Sequence, residues 1–177
     1  MTARRAVAVA LVIVGAAALA IGLVKLLSED SEVEPSAASP AAIAAALSSA
    51  QPAVAPFRDL TEVELGVGGR CMRLVVADAL DERVQGLRSR RTIGEYDGML
   101  FVFDTATDTG FTMSTVPIPL DIGFYDAKGR LVSTRHMKPC PDDEAECPTY
   151  RSDGPFTYAI ETLKGELPSG SISMCPS

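Results

Sequence analysis

Four cysteines and a single histidine are the residues whose chemistry the sequence constrains first. Cys140 and Cys147 bracket the segment PDDEAE, and this spacing suits a local disulfide in an oxidising compartment. The alternative is a zinc site, which needs thiolate or imidazole ligands at closer spacing, and His136 is the sole imidazole. Cys71 and Cys175 lie on the predicted early and final strands. We expect a second disulfide there if the strand register brings the two sulfurs together.

Other catalytic arrangements have weak support in the sequence. A thiol nucleophile at Cys140 with His136 as its base is disfavoured by the four acids that follow, because a thiolate needs an electropositive setting. The sequence contains neither a G-x-S-x-G elbow nor a phosphate-binding glycine loop. A carboxylate pair formed by Asp121 and Glu161 remains open, although the sequence gives no distance between them. We expect no cofactor and no metal.

The segment MSTVPIPLDIGFYDAKG places one acid, Asp121, in an apolar run shortly after Pro117 and Pro119. Proline cannot donate a ladder hydrogen bond, so the two prolines predict an extended, unpaired entry into a strand. A buried carboxylate needs a partner, either backbone N–H groups without ladder partners or a nearby arginine. We interpret Asp121 as a structural clamp, with a ligand contact and a catalytic role as the open alternatives.

A basic stretch follows the predicted short helix and contains Arg88, Arg90 and Arg91. Such residues stabilise a helix C-terminus through the helix dipole. The alternative is a small anion site, because arginine forks suit planar oxygens. The candidate ligand or pocket residues are Arg88, Arg90, Met113, Asp121 and His136.

The net charge of −7 over 177 residues argues against a nucleic-acid partner, which requires a basic footprint. Residues 1–27 differ from the rest of the chain, because Arg4 and Arg5 precede an uncharged run over residues 6–24. This run matches the roughly 20 residues that a membrane-spanning helix needs. We expect an N-terminal membrane anchor, with a cleaved secretion signal as the alternative. Either one places the remainder of the chain outside the cytoplasm.

Residues 28–56 are rich in Ala, Pro and Ser and are predicted to be a disordered linker, with at most a transient helical turn near Ile43. The folded domain is expected over residues 57–177. Alternating or apolar runs predict strands at 61–67, 71–77, 99–103, 111–115, 120–125, 130–136, 156–162 and 171–175. Asp78 is the predicted N-cap of one short helix, whose buried face would carry Leu80, Val84 and Leu87. The predicted fold is mostly β, a single small sandwich or barrel-like domain with one short helix.

Three segments in this order resemble motifs of the domain of unknown function 192 family. They are VADALDERVQGLRSRRTIGEYDGMLFVF, FTMSTVPIPLDIGFYDAKGRLV and PCPDDEAECPTY, and the resemblance covers residues 63–175. It implies a small β-rich domain, often behind a secretion signal or anchor, and it supplies no activity. The chain departs from the family pattern at Thr112, where Trp is usual, and at Ser114, where Lys is usual. The matching residues are Arg83, Gly86, Leu87, Gly98, Met99, Met113 and Asp121.

These observations favour a non-enzymatic, membrane-tethered domain of the cell envelope that binds a partner protein or an envelope saccharide. The domain would be secreted if the leader is cleaved. The alternative is an envelope hydrolase that uses Asp121 with a second carboxylate.

Overall fold

The structure is a computed structural model that describes residues 37–140 and 144–176. The predicted anchor at residues 1–27 lies outside the described residues. The helices of the described part are α1 (Pro40–Ser48), α2 (Leu80–Gln85) and a 3-10 turn (Glu144–Glu146). Its strands are β1 (Gln51–Pro52), β2 (Thr61–Val67), β3 (Arg70–Ala77), β4 (Gly98–Thr107), β5 (Leu120–Tyr125), β6 (Leu131–Met137), β7 (Phe156–Leu163) and β8 (Ile172–Ser173).

The described strands form one mixed sheet in the order β1-β2-β3-β4-β7-β5-β6, with β8 paired to β2. Neighbouring strands are antiparallel except β3 and β4, which are parallel and are connected by the segment that contains α2. Parallel neighbours require such a crossover. The prediction of a mostly β fold is confirmed, and in place of the predicted sandwich or barrel-like arrangement the described strands form one eight-stranded sheet. The predicted turn at residues 126–129 joins β5 to β6.

Both faces of the sheet are covered by apolar side chains. One face, which we call the phenylalanine face, carries the side chains of Phe101, Phe124 and Phe156. The opposite face, the α1 face, packs against Ile43 and Ala46 of α1. Successive residues of a strand point to opposite faces, so parity gives the position of the side chains within the regular part of each strand. Phe156 is an exception: it has the parity of Tyr158, which belongs to the α1 face, and it pairs with β4 beyond a register irregularity.

Helix α1 corrects the linker prediction for the described residues 37–56. Ser39 is the N-cap, and its hydroxyl accepts a hydrogen bond from the backbone N–H of Ala42, while Pro40 occupies the first turn. Ile43 is fully buried and contacts Gly129, and the backbone N–H of Ala38 donates to the carbonyl of the β8 residue Ile172. This part of the chain is therefore packed on the sheet, and the folded unit begins before residue 57.

Candidate functional site

A cleft of about 300 Å³ opens on the phenylalanine face of the sheet. Its volume lies at the lower end of the range for small-molecule pockets, roughly 300–1,000 Å³. Its walls come from α2 and the residues after it, from β4 and β7, and from the β4–β5 connection. The lining residues are Leu80, Arg83, Val84, Gln85, Gly86, Leu87, Arg88, Phe101, Phe103, Thr109, Gly110, Phe111, Thr112, Val116 and Glu161.

Helix α2 forms the rim of the cleft, and the prediction of its buried face is wrong at two of three positions. Leu80 is 71% exposed and Val84 is 63% exposed, whereas Leu87 is 2% exposed. The helix ends after six residues at Gly86, which has a φ of 46°. This left-handed backbone conformation favours glycine, and the ring of Phe101 lies within van der Waals contact of the position that a side chain would occupy here. The first turn of α2 therefore lies at the mouth of the cleft rather than on the sheet.

The start of α2 also differs from the prediction by one residue. The N-cap is Ala79 rather than Asp78. The carboxylate of Glu82 accepts hydrogen bonds from the backbone N–H groups of both Asp78 and Ala79, each at 3.0 Å. This is the half of a capping box in which the acid at the third helical position accepts from the backbone N–H of the N-cap.

The β4–β5 connection forms the opposite wall, and the predicted strand at 111–115 is wrong. Phe111 makes an isolated bridge with Tyr150, and Thr115 has a φ of 58°, which interrupts an extended run. The carbonyl of Thr115 instead accepts a hydrogen bond from the backbone N–H of Ser89, which follows α2. Met113, a candidate ligand residue, is fully buried in the core beneath this connection and does not line the cleft.

The carboxyl group of Glu161 lies at the inner end of the cleft. Glu161 pairs with Met99 of β4 and Ile122 of β5, whose side chains belong to the phenylalanine face, so Glu161 faces the same side. The residue is 5% exposed, and burial raises the pKa of its carboxyl to about 8. Within the described residues, neither a hydrogen-bond donor nor a cation reaches this carboxyl.

A second unsatisfied polar group lines the same cleft. The hydroxyl oxygen of Thr112 is buried and has no hydrogen-bond partner among the residues that the structure describes. Most buried polar side-chain atoms in folded proteins have at least one partner. The Thr112 hydroxyl and the buried Glu161 carboxyl therefore mark a cleft in which a bound molecule would supply hydrogen-bond partners. The resemblance places Trp at position 112, and the smaller Thr leaves room in the cleft.

Arg83 places a positive charge at the mouth of the cleft. Its guanidinium donates to the carbonyl oxygens of Asp78 and Val102, the latter at 2.9 Å, and its charge centre lies 5.0 Å from the ring centroid of Phe103. In the described part of the chain, neutral carbonyl oxygens rather than a carboxylate receive the hydrogen bonds of this arginine. The position of the Arg83 guanidinium is thus fixed, and no ion pair within the described residues neutralises its charge.

The other two arginines of the basic stretch lie in different places. Arg88 lines the cleft and donates a hydrogen bond of 3.2 Å to the carbonyl oxygen of Ser114. Arg90 lies outside this cleft, where it donates to the carbonyl oxygen of Pro56 and stacks over the ring of Phe57 at 4.3 Å. The structure therefore places Arg88 and not Arg90 among the cleft residues.

Asp121 and His136 lie on neighbouring strands away from the cleft. Asp121 is 4% exposed, and its two carboxylate oxygens bind His136 Nδ1 at 2.6 Å and the backbone N–H of Gly165 at 2.7 Å. The contact with Gly165, in the turn after β7, is the kind that a structural clamp makes. The predicted arginine partner is not observed among these contacts. The side chain of His136 is 81% exposed.

The register of β5 and β7 separates Asp121 from Glu161. Asp121 pairs with Thr162, whereas Glu161 pairs with Ile122. Cross-strand partners point to the same face and consecutive residues point to opposite faces, so the two carboxyl groups face opposite sides of the sheet. The hypothesis that Asp121 and Glu161 act together on one glycosidic bond is therefore wrong.

The predicted disulfides are both present. Cys71 and Cys175 are bonded with a Cα–Cα distance of 5.1 Å, and Cys140 and Cys147 are bonded with a Cα–Cα distance of 5.6 Å. The first bridge joins β3 to the residues after β8. In residues 37–140 and 144–176, no three His, Cys, Asp or Glu side chains converge on a point where a metal ion would bind.

The model of the DUF192 family, described as "Uncharacterized ACR", matches residues 63–174 of the chain. The chain belongs to this family. The match covers β2 to β8, and so it includes all the strands that form the cleft. The family description carries no activity, and a comparison with curated proteins found no match.

Two solved structures resemble this DUF192 domain. A protein of unknown function from Novosphingobium aromaticivorans is 25% identical, with a TM-score of 0.59, and the match covers 71% of this chain and 92% of that one. A protein from Sinorhizobium meliloti, described as a candidate transcription regulator, is 24% identical with a TM-score of 0.53, covering 63% of this chain and 89% of that one. The second similarity shows the fold alone.

No helix among the described residues is long and apolar enough to cross a membrane. The sequence pattern did not identify Thr112 as a cleft residue, and it suggested Glu161 only as a carboxylate partner of Asp121. The sequence does show that Glu161 and Ala159 lie two residues apart in β7 and so share one face of the strand. Which face of the sheet this is can be decided only when the register of β7 with β4 and β5 is known.

Proposed function

We propose that this DUF192 domain is a binding or accessory module of the cell envelope that takes a small organic molecule into the cleft above Glu161. The observation that carries the proposal is the buried carboxyl of Glu161, which has no partner in the described part of the chain. The proposed activity is binding without a chemical step.

The free energy of an unsatisfied buried polar group supports a ligand at this place. Burial of a polar group without a hydrogen bond costs about 1–3 kcal/mol in proteins. A fold that leaves the Thr112 hydroxyl without a partner and buries the Glu161 carboxyl loses stability that a purely apolar lining would retain. Perturbed groups of this kind concentrate at functional sites.

The size and lining of the cleft favour a small molecule over a polymer or a protein surface. A volume of about 300 Å³ admits one ring with its substituents. Three phenylalanines, at positions 101, 103 and 111, supply apolar walls, and the lining also includes polar side chains such as Arg83, Thr112 and Glu161. This is the arrangement of small-ligand pockets, which combine apolar walls with a few polar groups that fix orientation.

Two observations support a position outside the cytoplasm. Both disulfides of the domain are of the kind that persists in oxidising compartments. The apolar run at residues 6–24, preceded by Arg4 and Arg5, supports a membrane anchor with the arginine pair on the cytoplasmic side. Cell fractionation of the tagged full-length chain tests this part, and recovery in the cytoplasm with reduced cysteines would contradict it.

Ligand-detected NMR on the full-length chain tests binding. The probes are three mixtures of small compounds: organic acids, amines and neutral sugars. We expect saturation transfer to members of at least one mixture, and loss of that signal in Thr112→Trp, which fills the cleft. Thr105→Trp, at an exposed position of β4 outside the cleft, is the matched control and should retain the signal. Equal signals in both variants, or none in the wild-type chain, would refute the proposal.

A further inference from the structure

The inner end of the cleft offers hydrogen bonds but no net charge near neutral pH. Burial raises the pKa of Glu161 to about 8, so its carboxyl is mostly protonated at pH 7 and both donates and accepts. The Thr112 hydroxyl likewise donates and accepts, and it has no partner within the described residues. A hydroxyl or carbonyl group of a ligand matches this pair, whereas a carboxylate would find no cation at this end.

The mouth of the cleft, unlike its inner end, carries positive charge. The charged lining residues are Arg83, Arg88 and Glu161, and both arginines stand on the α2 side, next to the exposed Leu80 and Val84. Arg83 is held by carbonyl oxygens and by the ring of Phe103, and so its fork is preorganised. An arginine fork of this kind suits a planar carboxylate. In a chain with net charge −7, the Arg83 guanidinium is a positive group that has no carboxylate partner in the described part of the chain.

The middle of the cleft is apolar and contains aromatic rings. The rings of Phe101 and Phe111 meet edge to face, with centroids 5.2 Å apart at 85°. Such walls favour a flat apolar body, since aromatic rings prefer edge-to-face and offset contacts.

We infer that the ligand of this cleft is a small organic acid with an apolar, ring-sized body, which places its carboxylate at Arg83 and a hydroxyl or carbonyl group at Glu161 and Thr112. The inference deepens the proposed function and rests on the cleft being a ligand site. It selects against amines, which Arg83 repels, and against neutral sugars, whose hydroxyls would lie against the phenylalanine walls without partners.

Three matched probes test the ligand class by isothermal titration of the full-length chain. They are 4-hydroxyphenylacetate, phenylacetate, which lacks the inner hydroxyl, and tyramine, which exchanges the carboxylate for an ammonium. We expect 4-hydroxyphenylacetate to bind at least about tenfold more tightly than tyramine, the ratio that a hydrogen bond to a charged group provides. Phenylacetate should bind about fivefold more weakly than its hydroxylated partner.

Two variants locate the two ends of the ligand. Thr112→Val should remove most of the preference for the hydroxylated acid over phenylacetate, because it deletes one of the two inner groups. Arg83→Gln should weaken both acids by about tenfold without changing their ratio. Arg91→Gln is the control, since Arg91 is exposed and lies outside the lining. A melting curve of each variant checks that it is folded. The comparison of the three probes on the wild-type chain does not depend on any variant.

The possible outcomes distinguish an error in the proposed ligand class from an error in the proposal that the cleft binds a ligand. Equal or tighter binding of tyramine, with loss of binding in Thr112→Trp, would overturn the acid class and leave the cleft as a ligand site. Binding of all probes unaffected by Thr112→Trp would overturn both proposals. Absence of binding by the acids, together with a neutral sugar that binds in the cleft, would also overturn the acid class.

Discussion

Replacing Glu161 with glutamine should make the stability of the fold less dependent on pH. The folded state buries this carboxyl in its protonated form, whereas the unfolded chain ionises it near the ordinary pKa of 4.5. The folded state therefore binds more protons than the unfolded state between pH 4.5 and about 8. Stability must then fall as pH rises through this window, and the contribution is fully present only below pH 4.5. Glutamine stays neutral and avoids this loss.

The magnitude follows from the two pKa values. Each pKa unit corresponds to about 1.4 kcal/mol, so the interval from 4.5 to about 8 amounts to a loss of about 5 kcal/mol at most. Between pH 5 and pH 8 the wild-type chain should lose about 3 to 4 kcal/mol relative to Glu161→Gln. This is a large fraction of the roughly 5–15 kcal/mol that stabilises a domain.

Urea unfolding at pH 5, 6, 7 and 8 under non-reducing conditions measures the effect. The quantity to compare is the free energy of unfolding of Glu161→Gln minus that of the wild-type chain, at matched m-values. Glu64→Gln is the control, because Glu64 lies on an exposed position of β2 and should leave the pH profile unchanged. Parallel pH profiles for wild type and Glu161→Gln would refute the assignment of a protonated carboxyl at the inner end of the cleft.

Three further changes probe the scaffold. Asp121→Ala should lower the free energy of unfolding by about 1–3 kcal/mol, because the N–H of Gly165 loses its acceptor, and an unchanged melting temperature would argue for a functional rather than structural role. Replacing Cys71 and Cys175 by serine opens a bridge of sequence separation 104 and should cost on the order of 4–5 kcal/mol in urea unfolding. Ile43→Ala should cost about 2–5 kcal/mol, since its side chain is fully buried, and no change would show that α1 adds nothing to the fold.

The sheet strands were the most predictable part of the fold. β2 and β5 have the bounds predicted from their apolar patterns, Thr61–Val67 and Leu120–Tyr125. Strands of this kind can be recognised because turn residues such as Gly68-Gly69 and the segment 126–129 separate them clearly. The order of the strands could not be predicted, because it depends on which apolar faces meet across the sheet and not on any one strand.

Helix α1 was missed because its sequence shows little amphipathic character. Alanine forms helices well but buries little area, so the segment around Ile43 has the composition of a linker. A single large residue, Ile43, anchors it against Gly129 and the α1 face. Sequence patterns do not reveal an anchor of one residue, because its burial depends on the shape of the surface that receives it.

The face of α2 was predicted wrongly for a related reason. Periodicity identifies Leu80, Val84 and Leu87 as one apolar stripe, and it assumes that an apolar stripe is buried. Here the helix is too short to cover the sheet, and its close approach at Gly86 buries only the end of the stripe. The exposed part of the stripe forms the rim of a cleft, which periodicity cannot distinguish from a core contact.

The two buried carboxyl groups show how strand register alone places similar acidic residues in different surroundings. Asp121 and Glu161 lie on neighbouring strands in similar apolar runs, and the pairing of Ile122 with Glu161 sends them to opposite faces. On the α1 side, Asp121 finds a histidine and a backbone N–H, whereas Glu161 faces the cleft with no partner in the described part of the chain. A slip of β7 by one residue against β5 would exchange the faces. The carboxyl of Glu161 would then leave the cleft, and the proposed site exists because β4 and β5 hold β7 in this register from both sides.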